Sequence, residues 1–161
     1  MRARTLAVAA FALVSVFALA GCDGLLRGEE VARIPLPRKA DGGYAPVRIL
    51  LKADMSPVAF TLYADFAWGK REEHGRWNTY RVTLRGSDGT TKIGEFQVNS
   101  PELPPVESSG PPSSLVQPML QVDIPADGEY EIEVAAVKPA EVTLEAAQLG
   151  VRMHVPRLPR I

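Results

Sequence analysis

The sequence predicts an all-β protein: a single β-sandwich of about eight mostly antiparallel strands. Three observations lead there. Short apolar/polar alternations recur along the chain, mostly 8 to 12 residues apart, which is the spacing of sandwich and barrel strands. Turn formers are plentiful, with 13 glycines and 14 prolines among 161 residues, and beyond residue 22 no breaker-free stretch is long enough for a substantial helix. Ser87-Asp88-Gly89-Thr90 stands between two alternating runs as a clear hairpin signal, with Asp-Gly suited to a type I′ turn.

The elements follow in order. Val31–Leu36 reads as an edge strand, because Pro35 and Pro37 cannot donate to an inner ladder. Asp41-Gly42-Gly43 is a turn. Val47–Ala53 and Val58–Phe66 are strands separated by the turn Asp54–Pro57. In the second, Phe60, Leu62 and Ala64 alternate with Thr61, Tyr63 and Asp65. Residues 67–78 break the pattern with a charged, glycine-containing loop bracketed by Trp68 and Trp77. Tyr80, Val82 and Leu84 begin the next strand. Lys92–Val98 returns from the hairpin, where Ile93 is out of phase with Phe96 and Val98, so Gly94 marks a bulge.

Residues 100–114 are rich in Pro, Ser, Glu and Gly, too polar to order as a core element, and read as a surface loop crossing between sheets. Leu115–Ile124 is a strand with Leu120, Val122 and Ile124 on one face. After the turn Pro125–Gly128, Tyr130, Ile132 and Val134 alternate with Glu129, Glu131 and Glu133, giving one buried and one solvated face. Val142 and Leu144 alternate with Glu141, Thr143 and Glu145. Gln148–Gly150 reads as a break before a last strand through Val151, Met153 and Val155. The tail, 156–161, is too proline-rich for a central strand. Residues 31–155 thus form one domain, with strand order open between a jelly roll and an immunoglobulin-like arrangement.

The N-terminus is of another kind. Arg2 and Arg4 precede an almost wholly apolar run, Leu6–Ala20, with no acidic residue before Asp23. This is the layout of a helical secretory signal, 1–21, and too short to span a bilayer. Leu19, Ala20, Gly21 and Cys22 follow one another, and this segment resembles the lipobox of bacterial lipoproteins. The resemblance, confined to residues 1–22, implies cleavage before Cys22, diacylglycerol on its sulfur and a further acyl chain such as palmitate on its amino group. More than one chain makes such an anchor stable. It also implies a location in the cell envelope, facing the extracytoplasmic side (the periplasm in a Gram-negative cell). Asp23 resembles the inner-membrane retention signal of enteric lipoproteins. Residues 22–30 would be the lipidated terminus and a short tether.

Cys22 is the only cysteine, so its lipidation leaves no thiol for a disulfide, a nucleophile or a metal site. Without Arg2 and Arg4 the chain carries 16 basic and 19 acidic residues, a net −3, with no basic stripe for nucleic acid. The two histidines, His74 and His154, stand in no catalytic or metal-binding motif, and the Glu129/Glu131/Glu133 row lines one strand face rather than a cleft. Such a row reads as a solvated face that guards an edge, with Arg81 and Arg85 as cross-strand partners. His154 is expected to point outward. No catalytic residue, metal or cofactor is therefore expected beyond the covalent lipid. The sequence favours a non-enzymatic module that binds an envelope protein. Trp68, His74 and Trp77 mark the loop 67–78 as the candidate contact surface, and the two indoles make a glycan the alternative ligand.

Overall fold

The computed structural model describes residues 28–67, 73, 75–100 and 114–157. The expectations for the leader, Leu19–Asp23, Trp68 and His74 lie outside these residues, as does most of the 100–114 loop.

Eight strands form: β1 (Glu29–Pro35), β2 (Tyr44–Leu51), β3 (Val58–Phe66), β4 (Trp77–Gly86), β5 (Thr91–Asn99), β6 (Ser114–Val122), β7 (Gly128–Ala136) and β8 (Leu144–Met153). They make two four-stranded sheets, ordered β1-β8-β3-β6 and β2-β7-β4-β5. Every neighbouring pair is antiparallel. The pairs β4/β5, β3/β6, β2/β7 and β1/β8 are nested like the rungs of one long hairpin. Rolling that hairpin adds the contacts β4/β7 and β3/β8. This is the jelly-roll order, eight strands in two Greek keys, and it settles the topology that alternation alone leaves open.

The hairpin's tip is the Asp-Gly turn, though not of the expected type. A type I′ turn needs positive φ at both central residues. Here only Gly89 has it, at 84°. Gly86 N donates to Thr90 O (2.8 Å) and Gly89 N to Gly86 O (3.1 Å), so three residues form the loop. Asp88 accepts from the Thr90 backbone and hydroxyl at 2.9 and 2.7 Å, which holds its carboxyl below its ordinary pKa.

The inner faces carry the expected residues. Phe60, Leu62, Val82, Leu84, Ile132 and Val134 are buried, together with Leu149 and Val151. Tyr80 stands between Tyr44 and Phe96, with ring centroids 6.0 and 5.3 Å away. Aromatic clusters of this kind add about 0.5–1.5 kcal/mol per pair beyond area burial.

Three local expectations need correction. Gly94 marks no bulge, because the β4/β5 register runs unbroken through Val82↔Gly94. It faces the core, where a Cβ would press on Leu120 Cδ1 and Met119 O at 3.2 Å and Val82 Cγ1 at 3.3 Å. A missing side chain lets β6 pass close beneath β5, and the neighbouring Ile93 faces out, 61% exposed. In β6, Met119 is buried although alternation from Leu120 would turn it outward. The register shift between Phe60 and Thr61 accommodates it as an extra residue. Finally, Gln148–Gly150 is no break. β8 runs through it, paired with β1 on one side and β3 on the other, and the Tyr63 ring lies over Gly150, where a Cβ would collide with it. Arg33 covers that ring at 3.7 Å from its centroid. The irregularity falls earlier, where Ala146 (φ 49°) and Ala147 together oppose Ala64.

The glutamate row does not guard an edge either. β7 is an inner strand, flanked by β2 and β4. Arg48 reaches Glu129 and Glu131 at 3.4 and 3.9 Å, and Arg85 reaches Glu131 and Glu133 at 3.6 and 3.2 Å. Each exposed pair is worth no more than about 1 kcal/mol, but a one-residue slip would break the whole ladder of opposite charges and expose the core face.

The strand directions separate two ends. Gly28, the turns at 52–57 and 123–127, the hairpin tip and residues 154–157 share one end. There Val155 N donates to Pro57 O at 3.1 Å and Ala53 N to Asp127 Oδ1 at 2.8 Å. His154 is exposed, one residue past β8, with Nε2 2.8 Å from Asp54 O. The connections 36–43 and 137–143, with Glu73 and Trp77, lie at the other end.

Burial raises the pKa of Tyr44 and Tyr80, more strongly than the nearby Arg38 charge lowers it. In an unfolded chain such phenols ionise near pH 10. The stability tied to keeping them neutral is intact below that pH and is lost as pH rises toward their folded values. The melting temperature is expected to fall steeply above about pH 10. Tyr44→Phe should soften that decline, and thermal melts across alkaline pH check it.

Candidate functional site

β4 enters the sandwich with an indole on its outer side and an amide on its inner side. Asn78, 1% exposed, would be costly in an apolar core unless its hydrogen bonds were all made. They are. Nδ2 donates to Tyr80 Oη and to Val142 O, both at 2.8 Å. Oδ1 accepts from Glu141 N at 2.8 Å and Val142 N at 2.9 Å. One side chain thereby fixes the connection between β7 and β8 against the start of β4.

Glu73 holds the same connection from the β3–β4 loop. Its carboxylate accepts from Thr143 N at 2.6 Å and from Thr143 Oγ1 at 2.7 Å, while Ala67 N donates to Thr143 O at 3.1 Å. The charged loop is therefore not merely solvated, because this glutamate is fixed onto the 137–143 connection by two hydrogen bonds. Neither Asn78 nor Glu73 stands out in the sequence as a site residue. The one available signal was a lone amide in phase with the buried Tyr80 and Val82.

On this support Trp77 is 45% exposed. Lys138 Nζ lies over its ring, 4.7 Å from the centroid, and 3.7 Å from Glu141 Oε1. Val137 N donates to Thr79 O at 2.9 Å, which brings the 137–138 segment alongside β4. Val137 is itself 49% exposed. Next to it runs an open groove of about 390 Å³ between the β1–β2 turn (Arg38, Asp41, Gly42) and residues 136–140. Gly42 has φ 85°, and a Cβ there would collide with the Ala140 methyl, so the turn needs glycine on both counts. Arg38 is exposed and has no ion pair among the described residues.

Of the three residues singled out for this loop, Trp77 alone is described, and it does lie at a surface that other connections complete. That surface combines an indole, two cations and small apolar walls, a mixture suited to holding a polymer segment or ligand. Among the described residues, no three His, Cys, Asp or Glu side chains converge as a metal site requires. No family model, curated protein or solved structure matches the chain.

Asn78→Ala is expected to lower unfolding stability by at least about 2 kcal/mol, since several buried backbone groups lose their partner. Trp77→Ala should cost under about 1 kcal/mol, as its ring is half in solvent. Urea unfolding of both variants makes the comparison.

Proposed function

We propose that the protein is a lipid-anchored, extracytoplasmic interaction module of the bacterial envelope, held at a membrane by Cys22 and working without catalysis. The supporting observation joins sequence to topology. Gly28, where the tether from Cys22 enters the domain, lies at the end of the sandwich opposite Trp77, Lys138 and the groove. Six residues of tether reach at most about 20 Å, and the strands between the ends are roughly 30 Å long. The contact surface stays near the bilayer yet clear of the anchor, free to take a second envelope protein. A compact domain without disulfides, whose polar core amide stiffens that surface, suits presentation of a fixed epitope.

Cys22→Ser is expected to abolish lipid labelling and release the protein from membranes, with the β-sheet circular dichroism unchanged. Membrane retention that survives this substitution would overturn the anchor. In membranes, a photocrosslinker at Val137 should capture a discrete protein partner.

The second reading is a glycan-binding module, favoured by the half-exposed indole of Trp77. Lys138 already covers part of that ring, which leaves less of it for a sugar. Titration with cell-wall oligosaccharides separates the two readings. The module reading expects no change in tryptophan fluorescence, and a saturable shift that disappears in Trp77→Ala would install the glycan instead.

A further inference from the structure

A two-sheet sandwich has four edge strands, and each presents unpaired backbone groups that can recruit another chain. Three of the four are blocked here. β1 carries Pro35 and an extra residue at Val31; β2 carries Pro46 and a register shift between Tyr44 and Val47; β6 carries Pro118 and its bulge at Met119. β5 has neither device. It is nine residues long, contains no proline, and pairs with β4 in one unbroken register.

The phase of its hydrogen bonds is fixed at both ends. Gly86 N donates to Thr90 O, and Ser100 N to Arg76 O, each at 2.8 Å. Even-numbered residues of β5 therefore bond to β4, while Thr91, Ile93, Glu95, Gln97 and Asn99 turn their N–H and C=O to the free side. Among the described residues no strand pairs there, since β6 passes on the core side and pairs with β3. All five are exposed, and Ile93 is an apolar side chain 61% in solvent.

We propose that β5 is a strand-addition edge and that its occupant is β5 of a second copy, paired antiparallel about a two-fold axis at Ile93. The edge is self-complementary in one register, which sets no like charges opposite each other and places Glu95 on the side of the second copy's Arg85. Centred on Ile93, the pairing buries one isoleucine against the other and sets Glu95 opposite Thr91 of the second copy. Glu95 is held by Arg81 at 2.7 Å, and Thr91 pairs with Arg85 on β4. The outer face then reads Arg81, Glu95, Thr91, Arg85 across the junction, a carboxylate between two cations. Centring the axis on Glu95 would instead oppose two carboxylates. In the Ile93 register odd-numbered residues face odd-numbered ones, so Thr91, Ile93 and Glu95 each bring a free donor and acceptor to the other copy. The β2-β7-β4-β5 sheet becomes one continuous eight-stranded sheet.

Sedimentation velocity of the full-length chain in detergent micelles tests this. The expected protein mass is that of a dimer, falling twofold to the monomer in Ile93→Lys, whose thermal unfolding remains cooperative. A second variant, Ile93→Cys in a Cys22→Ser background, should form a covalent dimer on mild oxidation, since facing residues of a hydrogen-bonded pair stand about 5.5 Å apart at Cα. A wild-type chain that stays monomeric at every concentration overturns the proposal. So does a dimer that persists in Ile93→Lys while the cysteine variant fails to crosslink.

Discussion

The structure hangs on one continuous antiparallel pairing that starts at the Gly86–Thr90 turn and nests outward, β4 with β5, β3 with β6, β2 with β7 and β1 with β8. Folding that long hairpin over closes two sheets on each other and creates the contacts β4/β7 and β3/β8. Each sheet alone would leave one apolar face in water, so neither is stable without the other. The chain has a single cysteine, at position 22, and no internal disulfide is available to help. Core packing and register must therefore supply what a staple would otherwise give. That explains the charge ladder across β2, β7 and β4, whose individual pairs are weak but whose loss by slippage would be collective.

The alternating strands were legible because alternation is a direct consequence of one buried and one solvated face. Tyr80, Val82 and Leu84, or Tyr130, Ile132 and Val134, show their inner face in the sequence itself. The misreadings at Gly94, Met119 and Gly150 have one cause: a glycine or bulge whose meaning lies in another strand. Gly94 is explained by β6 beneath it, and Gly150 by the Tyr63 ring above it. No local pattern reports either neighbour. The glutamates of β7 looked like edge protection because sequence does not say which strand is central. Strand order is a long-range property, and eight alternating runs fit several orders equally well.

The candidate site was half legible. Trp77 is legible as a large side chain beside a polar loop, and it is half exposed. Asn78 and Glu73, which hold the neighbouring connection in place, look like ordinary loop residues until Glu141, Val142 and Thr143 come within 3 Å of them. Their function is positional, and position across a separation of more than sixty residues leaves no short motif. The edge of β5, unpaired among the described residues, is similar. It shows only by contrast with the three other edges, each of which carries both a proline and a bulge.

Gly28 and the proposed contact surface around Trp77 and Lys138 lie at opposite ends of the sandwich. Pulsed electron paramagnetic resonance with spin labels on cysteines at Glu29 and Lys138, in a Cys22→Ser background diluted with unlabelled chain, measures that separation. A control pair at Glu29 and Arg157 reports the near end. This placement gives roughly 30 Å for the first pair, one strand length, and a clearly shorter distance for the control. A Glu29–Lys138 distance equal to or below that of the control would contradict it.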